Sequence, residues 1–279
     1  MGFFLILVVA IGYGVSWYLE SPVILVVAVI FALVMNVSSY WHSDKIVLRM
    51  TKARPIIRES HPELWNVVEN LSITAGLPMP KVFIIDDSSP NAFATGRDPE
   101  HAVVAATTGL LDILDKSELE GVMAHELSHV GNRDMLVMTV AVVLAGFLAI
   151  LADMLMRTIM FGGGDRGKSP VFLVIGIVGI ILAPIAAQII QLTISRKREY
   201  LADASGALLT RYPDGLASAL EKISSHSSPM KSASHATAHL FISDPFAGEK
   251  KSVGSKISGL FQTHPPVQDR INKLRGMKI

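Results

Sequence analysis

Residues 117–134 read SELEGVMAHELSHVGNRD, and residues 125–129 within them form the pattern His-Glu-Leu-Ser-His. Ser117 followed three residues later by an acidic residue is typical of a helix start. On that helix His125 and His129 share one face, because positions i and i+4 are neighbours, and both imidazoles can reach one metal ion. Glu126 is turned by about 100°, so it faces a water beside the metal. The spacing predicts a zinc site with Glu126 as general base.

The third metal ligand must come from another part of the chain. The long metzincin motif would need Gly at position 132 and His at position 135, where this chain has Asn132 and Met135. Thiolate ligands are excluded because the chain has no cysteine. Residues 198–203 read REYLAD, so Glu199 would complete a His₂Glu site with one position left for water. Asp203, one helical turn later, is placed to hold an imidazole N–H.

Two alternatives to this ligand set stay open from the residues alone. Glu199 could be an ordinary interfacial glutamate beside the basic residues 196–198. His235 and His239 are also spaced i, i+4, and they could supply a rival third ligand or a second metal site. They lack a glutamate at i+1, and they lie in an irregular stretch, so surface or capping roles are favoured for them.

Four apolar blocks indicate a membrane protein. Half of the residues are hydrophobic and only 18% are charged, below the ~25% typical of soluble proteins. The blocks cover about residues 2–19, 22–41, 135–156 and 171–194, each close to the ~20 residues that a membrane helix needs. A cleaved signal peptide is the weaker interpretation of the first block, because no basic region precedes it. The spans carry almost no charge, which disfavours a transporter.

The charge pattern predicts the topology. Basic residues at 45, 49, 52, 54 and 58 follow the second block, which places that segment and both termini in the cytoplasm. We therefore expect a transmembrane hairpin over 1–42, the first part of a cytoplasmic catalytic domain over 43–134, a second transmembrane hairpin over 135–194, and the second part of the domain over 195–279. The second hairpin would bring Glu199 back to His129.

The polar part is expected to have an α+β, mainly α fold. Residues 82–85, 91–95 and 102–107 have strand patterns, and the last two are expected to pair. Helices are expected over 62–76, from 117 past 129, over 206–220 with a break at Pro213, and over 265–278. Residues 224–260 are rich in Ser, Lys and Gly, which motivates the hypothesis that they form a mobile loop that gates a cleft.

Several motifs together resemble those of the HtpX-type heat-shock membrane proteases, gluzincins related to the type I CAAX prenyl proteases. They are His125-Glu-Leu-Ser-His129 with Asn132-Arg-Asp134, Arg198-Glu-Tyr-Leu-Ala-Asp203, and Thr263-His-Pro-Pro266 with Arg270-Ile271. The resemblance covers nearly the whole chain. It implies a zincin-like catalytic domain with a small β-sheet, fused to four transmembrane helices in two hairpins.

The resemblance also implies the site. One zinc ion (Zn²⁺) per chain would be held by His125, His129 and Glu199, with Glu126 as base and Asp203 behind the ligands. His264 would stabilise the tetrahedral oxyanion. Asn91 would assist it from a strand that lines the substrate cleft, and an unpaired strand edge there would let an extended peptide add to the sheet.

The function expected from the resemblance is a metalloendopeptidase of the stress response. It would cleave misfolded or damaged membrane proteins in the cell inner membrane, with the active site facing the cytoplasm. Unfolded polypeptides and the lipid bilayer are the expected partners, and nucleic acid is not. Two competing functions are a zinc-binding scaffold without catalysis, disfavoured by the intact Glu126, and a narrow processing protease, which usually has more membrane spans.

Overall fold

The computed structural model describes residues 2–18, 20–140, 143, 196–226, 228–234, 237–246 and 265–278. The chain divides into two compact units, Met1–Ser43 with Val140–Ile190, and Asp44–Thr139 with Gln191–Ile279. The first unit contains apolar helices, and the second contains the sheet and the His-Glu-Leu-Ser-His segment.

The first unit begins with a helical hairpin. Helix α1 spans Gly2–Tyr18 and α2 spans Pro22–Met50. The two helices approach closely where α1 has a glycine, because a Cβ at Gly12 would lie only 2.3 Å from the Cβ of Ala28. The turn between them includes Glu20 at a φ of 50°. The side chain of Ser16 donates to the carbonyl of Ser21 at 2.8 Å, so the turn is closed by its own polar groups.

Four membrane-spanning helices were expected from the sequence. Among the described residues, α2 is the helix that is long and apolar enough to cross a membrane, and the apolar part of α1, Phe4–Trp17, is shorter. The third apolar block is described only at residues 135–140, which are helical, and at 143. The remainder of that block and the fourth block lie outside the described residues, so the expectation of four spans remains a prediction.

The second unit contains a small mixed sheet. Its strands are β1 (Arg54–Pro55), β2 (Lys81–Ile85), β3 (Ala92–Thr95) and β4 (Val103–Thr107), in the order β1-β2-β4-β3. Strands β2 and β4 are parallel, and β3 pairs antiparallel with β4, with Phe93 opposite Ala105. The expected pairing of residues 91–95 with 102–107 is therefore confirmed, and β3 lies at the edge of the sheet.

Helices cover the sheet as the hydrophobic pattern predicts. Helix α3 (Pro62–Ala75) buries Leu64, Val67, Val68 and Leu71, and it ends at Gly76, whose φ of 65° suits a residue without a Cβ. The other described helices of this unit are α4 (Thr108–Ile113), α5 (Lys116–Gly131), α6 (Arg196–Thr210), α7 (Pro213–Ser225) and α8 (Val267–Arg275). The break expected at Pro213 is present, because that proline opens α7.

The start of α5 differs from the sequence-based expectation. Ser117 was expected to cap the helix, but the N-cap is Asp115, and α5 begins at Lys116. The Asp115 carboxylate accepts from the backbone N–H of Glu118 at 3.0 Å, and the Glu118 carboxylate accepts from that of Asp115 at 2.8 Å. This reciprocal pair satisfies two N–H groups at once, whereas Ser117 donates its hydroxyl to Asp115.

Helix α5 forms the centre of the unit. It packs against α3, α6, α7 and β3, and all of its residues from Gly121 to Val130 are buried. Two glycines allow the closest contacts. A Cβ at Gly121 would lie 2.5 Å from the backbone N of Leu216 in α7, and one at Gly206 in α6 would lie 2.9 Å from that of His125.

Candidate metal centre

Three residues with potential ligand atoms converge between α5 and α6. The Nε2 atoms of His125 and His129 lie 3.3 Å apart. Glu199 places Oε1 3.6 Å from the Nε2 of His129 and Oε2 3.9 Å from the Nε2 of His125. All three residues are buried. The close contact at Gly206 explains this convergence, because it lets α6 pack directly on the backbone of the helix that carries both histidines.

The residues fit a small divalent cation. Zinc bonds of ~2.0–2.1 Å in tetrahedral geometry separate neighbouring ligand atoms by about 3.3 Å. The two Nε2 atoms lie 3.3 Å apart, each lies within 4 Å of a different oxygen of Glu199, and one ligand atom from each residue lies within 4.8 Å of the other two. Charge balance points the same way. Glu126, Glu199 and Asp203 are buried carboxylates, and Arg270 is a buried guanidinium. When all four are ionised the site carries an excess of two negative charges, which a dication would offset.

A carboxylate and an arginine lie behind the imidazole of His125. The Oδ1 of Asp203 lies 3.0 Å from the Nδ1 of His125. Arg270 donates to both oxygens of Asp203, from Nε at 2.9 Å and from Nη2 at 2.7 Å. Burial alone would raise the pKa of Asp203, but the charge and hydrogen bonds of Arg270, together with His125, lower it to about 2. Burial lowers the pKa of His125 to about 4, so the imidazole is neutral at pH 7, the form that binds metals.

A similar but looser arrangement lies behind His129. Its Nδ1 is 3.4 Å from Oδ2 of Asp134, and Arg198 approaches the other oxygen of Asp134 at 3.8 Å. Burial opposes protonation of His129, but Asp134 and Glu199 outweigh it and raise its pKa. An aspartate and then an arginine therefore lie behind each of the two histidines. The pair behind His125 is fully buried, whereas in the pair behind His129 the Arg198 side chain is 29% exposed.

Glu126 is buried beside this group. Its carboxylate accepts a hydrogen bond from the backbone N–H of Ala94 in β3. Burial raises the pKa of Glu126 to about 7, an effect that His129 opposes and Glu199 reinforces. A carboxylate with a pKa near neutrality can both take and give up a proton at physiological pH.

Asn91 was expected to open the edge strand, but β3 begins at Ala92 and Asn91 directly precedes it, and its amide already has partners. Its Nδ2 donates to the carbonyl of Ser243 at 3.0 Å, and its Oδ1 accepts from the N–H of Ser243 at 3.2 Å. The N–H of Ile242 donates to the carbonyl of Ala92 at 2.9 Å, and Phe241 stacks edge-on against Phe93. The edge of β3 was expected to be unpaired. At Ala92 it is instead occupied by residues 241–243.

Of the remaining candidate histidines, only His239 lies in the part of the chain that the structure describes. His264 and His235 lie outside the described residues. His239 is buried in the short 3₁₀ helix Ala238–Leu240, and it is not among the three residues that converge as ligands.

Arg270 and Asp134 were not assigned a role from the sequence. Both lie in the motifs that carry the family resemblance, so a signal was present. Arg270 contacts Asp203 across 67 residues of sequence, and Asp134 contacts His129 after the turn that ends α5. Spacing along the chain reveals neither contact.

A sheet with an HExxH helix, a converging His-His-Glu group and a buried glutamate beside it define a metalloprotease. The profile of Peptidase family M48 matches residues 58–278, and the chain belongs to that family.

Relatives over the whole chain agree with this assignment. A protein named Protease HtpX homolog from Syntrophobacter fumaroxidans is 51% identical over 261 residues, covering 91% of this chain and 89% of that protein. Its namesake from Thermoanaerobacter pseudethanolicus is 46% identical over 282 residues, covering 98% and 92%. The expected resemblance to HtpX-type proteases is therefore confirmed.

A solved structure shares the fold. The crystal structure of S. mikatae Ste24p matches with a TM-score of 0.53 at 21% identity, covering 98% of this chain and 62% of that chain. At this identity the match shows a common fold and nothing about substrate.

Proposed function

We propose that this chain is a membrane endopeptidase that hydrolyses peptide bonds of misfolded or damaged membrane proteins, using one zinc ion held by His125, His129 and Glu199. The observation that carries the proposal is the convergence of these three ligand atoms within 4.8 Å of one another, with the buried Glu126 beside them. Two nitrogen ligands and one carboxylate would leave a fourth position open on the ion, as in catalytic zinc sites.

The metal and the protein contribute different parts of the chemistry. When bound, zinc supplies a Lewis acid that lowers the pKa of a water and polarises the peptide carbonyl. Glu126 takes a proton from the attacking water and gives it to the leaving amine. Its burial suits this role, because a pKa of about 7 allows both transfers near neutral pH. Asp203 and Asp134 orient the two imidazoles through their Nδ1 atoms.

Substrate recognition is proposed to use the edge of β3. An extended peptide that adds to this edge is bound through main-chain hydrogen bonds, which gives little sequence selectivity and suits a protease of damaged chains. Residues 241–243 occupy the edge at Ala92, so a peptide must displace them to pair there. We therefore keep the hypothesis that part of residues 224–260 gates the cleft. Asn91 and His264 are proposed to stabilise the oxyanion, Asn91 after release from Ser243.

The membrane setting is the second element of the proposal. It is supported by the length and composition of α2 and by the four apolar blocks of the sequence. We propose two transmembrane hairpins, over 1–42 and 135–194, and a catalytic domain formed by 43–134 and 195–279. The basic residues that follow the first hairpin favour a cytoplasmic active site and cytoplasmic termini in the inner membrane.

Casein cleavage in detergent with added zinc tests the proposed activity, with wild type compared with Glu126→Gln. Cleavage by the wild type alone is expected, because glutamine cannot accept the proton. Equal cleavage by both proteins would contradict the role of Glu126. If neither protein cleaves casein although both hold zinc, the broad substrate class is wrong, and a narrow processing enzyme or a scaffold becomes the better interpretation.

A further inference from the structure

Arg270 in the C-terminal helix α8 is fully buried and is the largest fully buried side chain among the described residues. A charged side chain is rarely buried unless it is paired, and the proposed reaction does not use it. Its partners lie far away in sequence, since Asp203 is 67 residues earlier and His125 is 145 residues earlier. The folding of α8 onto α6 therefore brings a permanent positive charge to the back of the metal centre.

The donor geometry defines what this charge does. The guanidinium has only donors, and its Nε and Nη2 atoms form a fork on the carboxylate of Asp203, at 2.9 and 2.7 Å. A two-point contact fixes the plane of the carboxylate as well as its position. A third nitrogen, Nη1, donates to the carbonyl of Ile242 at 3.3 Å, so the guanidinium cannot rotate without losing bonds on two sides.

The same carboxylate oxygen also contacts His125. The Oδ1 of Asp203 lies 2.7 Å from the Nη2 of Arg270 and 3.0 Å from the Nδ1 of His125. The Nη2 atom lies 3.4 Å from that Nδ1. An unprotonated Nδ1 would turn its lone pair toward a carboxylate, which is repulsive. The arrangement therefore favours a hydrogen on Nδ1, with the lone pair of Nε2 directed at His129 and Glu199.

We infer that Arg270 is a positioning residue of the metal centre. It locks Asp203, and through Asp203 it holds the His125 imidazole in the tautomer and orientation that binds the metal. The inference rests on the proposed metal site and adds a residue from the C-terminal helix to it. Hydrogen-bonded partners of this kind typically affect metal affinity 10–100-fold, although they do not touch the metal.

A simpler role, in which Arg270 only attaches α8 to α6, makes a different prediction. An attachment would contribute to stability but would not alter the ligand field, because any side chain that holds the helices together would serve. A positioning role requires the planar fork, so lysine should fail at this position although it keeps the charge.

Zinc affinity and the absorption spectrum of the cobalt-substituted protein separate these roles. The full-length chain in detergent is titrated with zinc against a chromophoric chelator, and visible cobalt bands report the geometry of the ligands. Arg270→Lys is expected to bind zinc 10–100-fold more weakly than the wild type, with shifted cobalt bands. The matched control is Arg275→Met in the same helix, whose partner Glu221 is exposed, and it should behave like the wild type in both measurements.

A second variant is needed in case the first does not fold, because loss of the Arg270 guanidinium leaves the buried Asp203 carboxylate without that partner. The double variant Arg270→Met/Asp203→Asn removes both charges and should fold, and its weakened zinc affinity should equal that of Asp203→Asn alone, because Arg270 acts through Asp203. If either variant folds and keeps wild-type affinity and cobalt bands, Arg270 is only a structural attachment and the inference is wrong. Absence of zinc binding by the wild type would instead overturn the proposed metal site itself.

Discussion

Replacing Gly206 with alanine tests how closely α6 must approach α5. An added Cβ would lie 2.9 Å from the backbone N of His125, where ordinary contacts begin at 3.4 Å, so the helices must separate by about the difference, 0.5 Å. The contact between His125 Nε2 and Glu199 Oε2 is already 3.9 Å long. Opening it further moves it away from the spacing of about 3.3 Å that tetrahedral zinc requires.

Two opposing effects determine the stability of Gly206→Ala. Alanine favours a helix interior over glycine by about 1 kcal/mol, whereas overpacking costs about 1–3 kcal/mol. We expect a net loss of about 0–2 kcal/mol in the free energy of unfolding without metal, and a loss of zinc affinity of about tenfold or more, comparable to the effect of losing a hydrogen-bonded ligand partner. Chelator competition and denaturant unfolding measure the two quantities.

Gly131→Ala in α5 is the matched control for this prediction. A Cβ at Gly131 would meet only the Cδ1 of Leu77, at an ordinary 3.7 Å. The control should keep zinc affinity and should be as stable as the wild type or more stable. If Gly206→Ala binds zinc as tightly as Gly131→Ala, close packing of α6 on His125 does not set the geometry of the site, and the reasoning is refuted.

Three further predictions concern the cap, the gate and the metal. Asp115→Ala should cost about 1 kcal/mol of stability near pH 7. The hydrogen bond from the Glu118 N–H lowers the Asp115 pKa below 3.8, so the stability from this cap is present above pH 3.8 and is lost below it. The difference in stability between wild type and Asp115→Ala should therefore shrink in acid. A difference that stays constant with pH would contradict the cap. When an unfolded peptide binds the Glu126→Gln variant, amide hydrogen exchange at residues 241–243 should become faster. Unchanged protection would argue against displacement of these residues from the β3 edge. Removal of the metal with a chelator should lower the free energy of unfolding by about 4 kcal/mol, relative to the protein in zinc at a thousand times its Kd. An unchanged melting curve would contradict metal binding to the folded state.

The elements that sequence predicts well are those set by local patterns. The spacing of apolar residues predicts α3 and its buried face, and Pro213 predicts the break between α6 and α7. The antiparallel pair β3 and β4 also follows from local strand and turn signals. The cap of α5 was misplaced by two residues, because Ser117 and Asp115 are both good caps and only the reciprocal bond with Glu118 distinguishes them.

The centre could be predicted in part because one helix supplies most of it. The i, i+4 spacing alone places the two histidines together, and Glu199 follows once a hairpin is assumed between residues 135 and 194. Arg270 could not be assigned in this way, because its role depends on where α8 packs. Occupation of the β3 edge by residues 241–243 was also missed, since such pairing has no periodic signal in an irregular segment.

Metal content of the purified protein tests the central claim most directly. Bound zinc per chain is measured by mass spectrometry in the wild type, Glu126→Gln and His129→Ala after dialysis against a weak chelator. We predict close to one zinc per chain in the wild type and in Glu126→Gln, because Glu126 is a base and not a ligand, and almost none in His129→Ala. Full zinc content in His129→Ala, or loss of zinc in Glu126→Gln, would contradict the proposed ligand set.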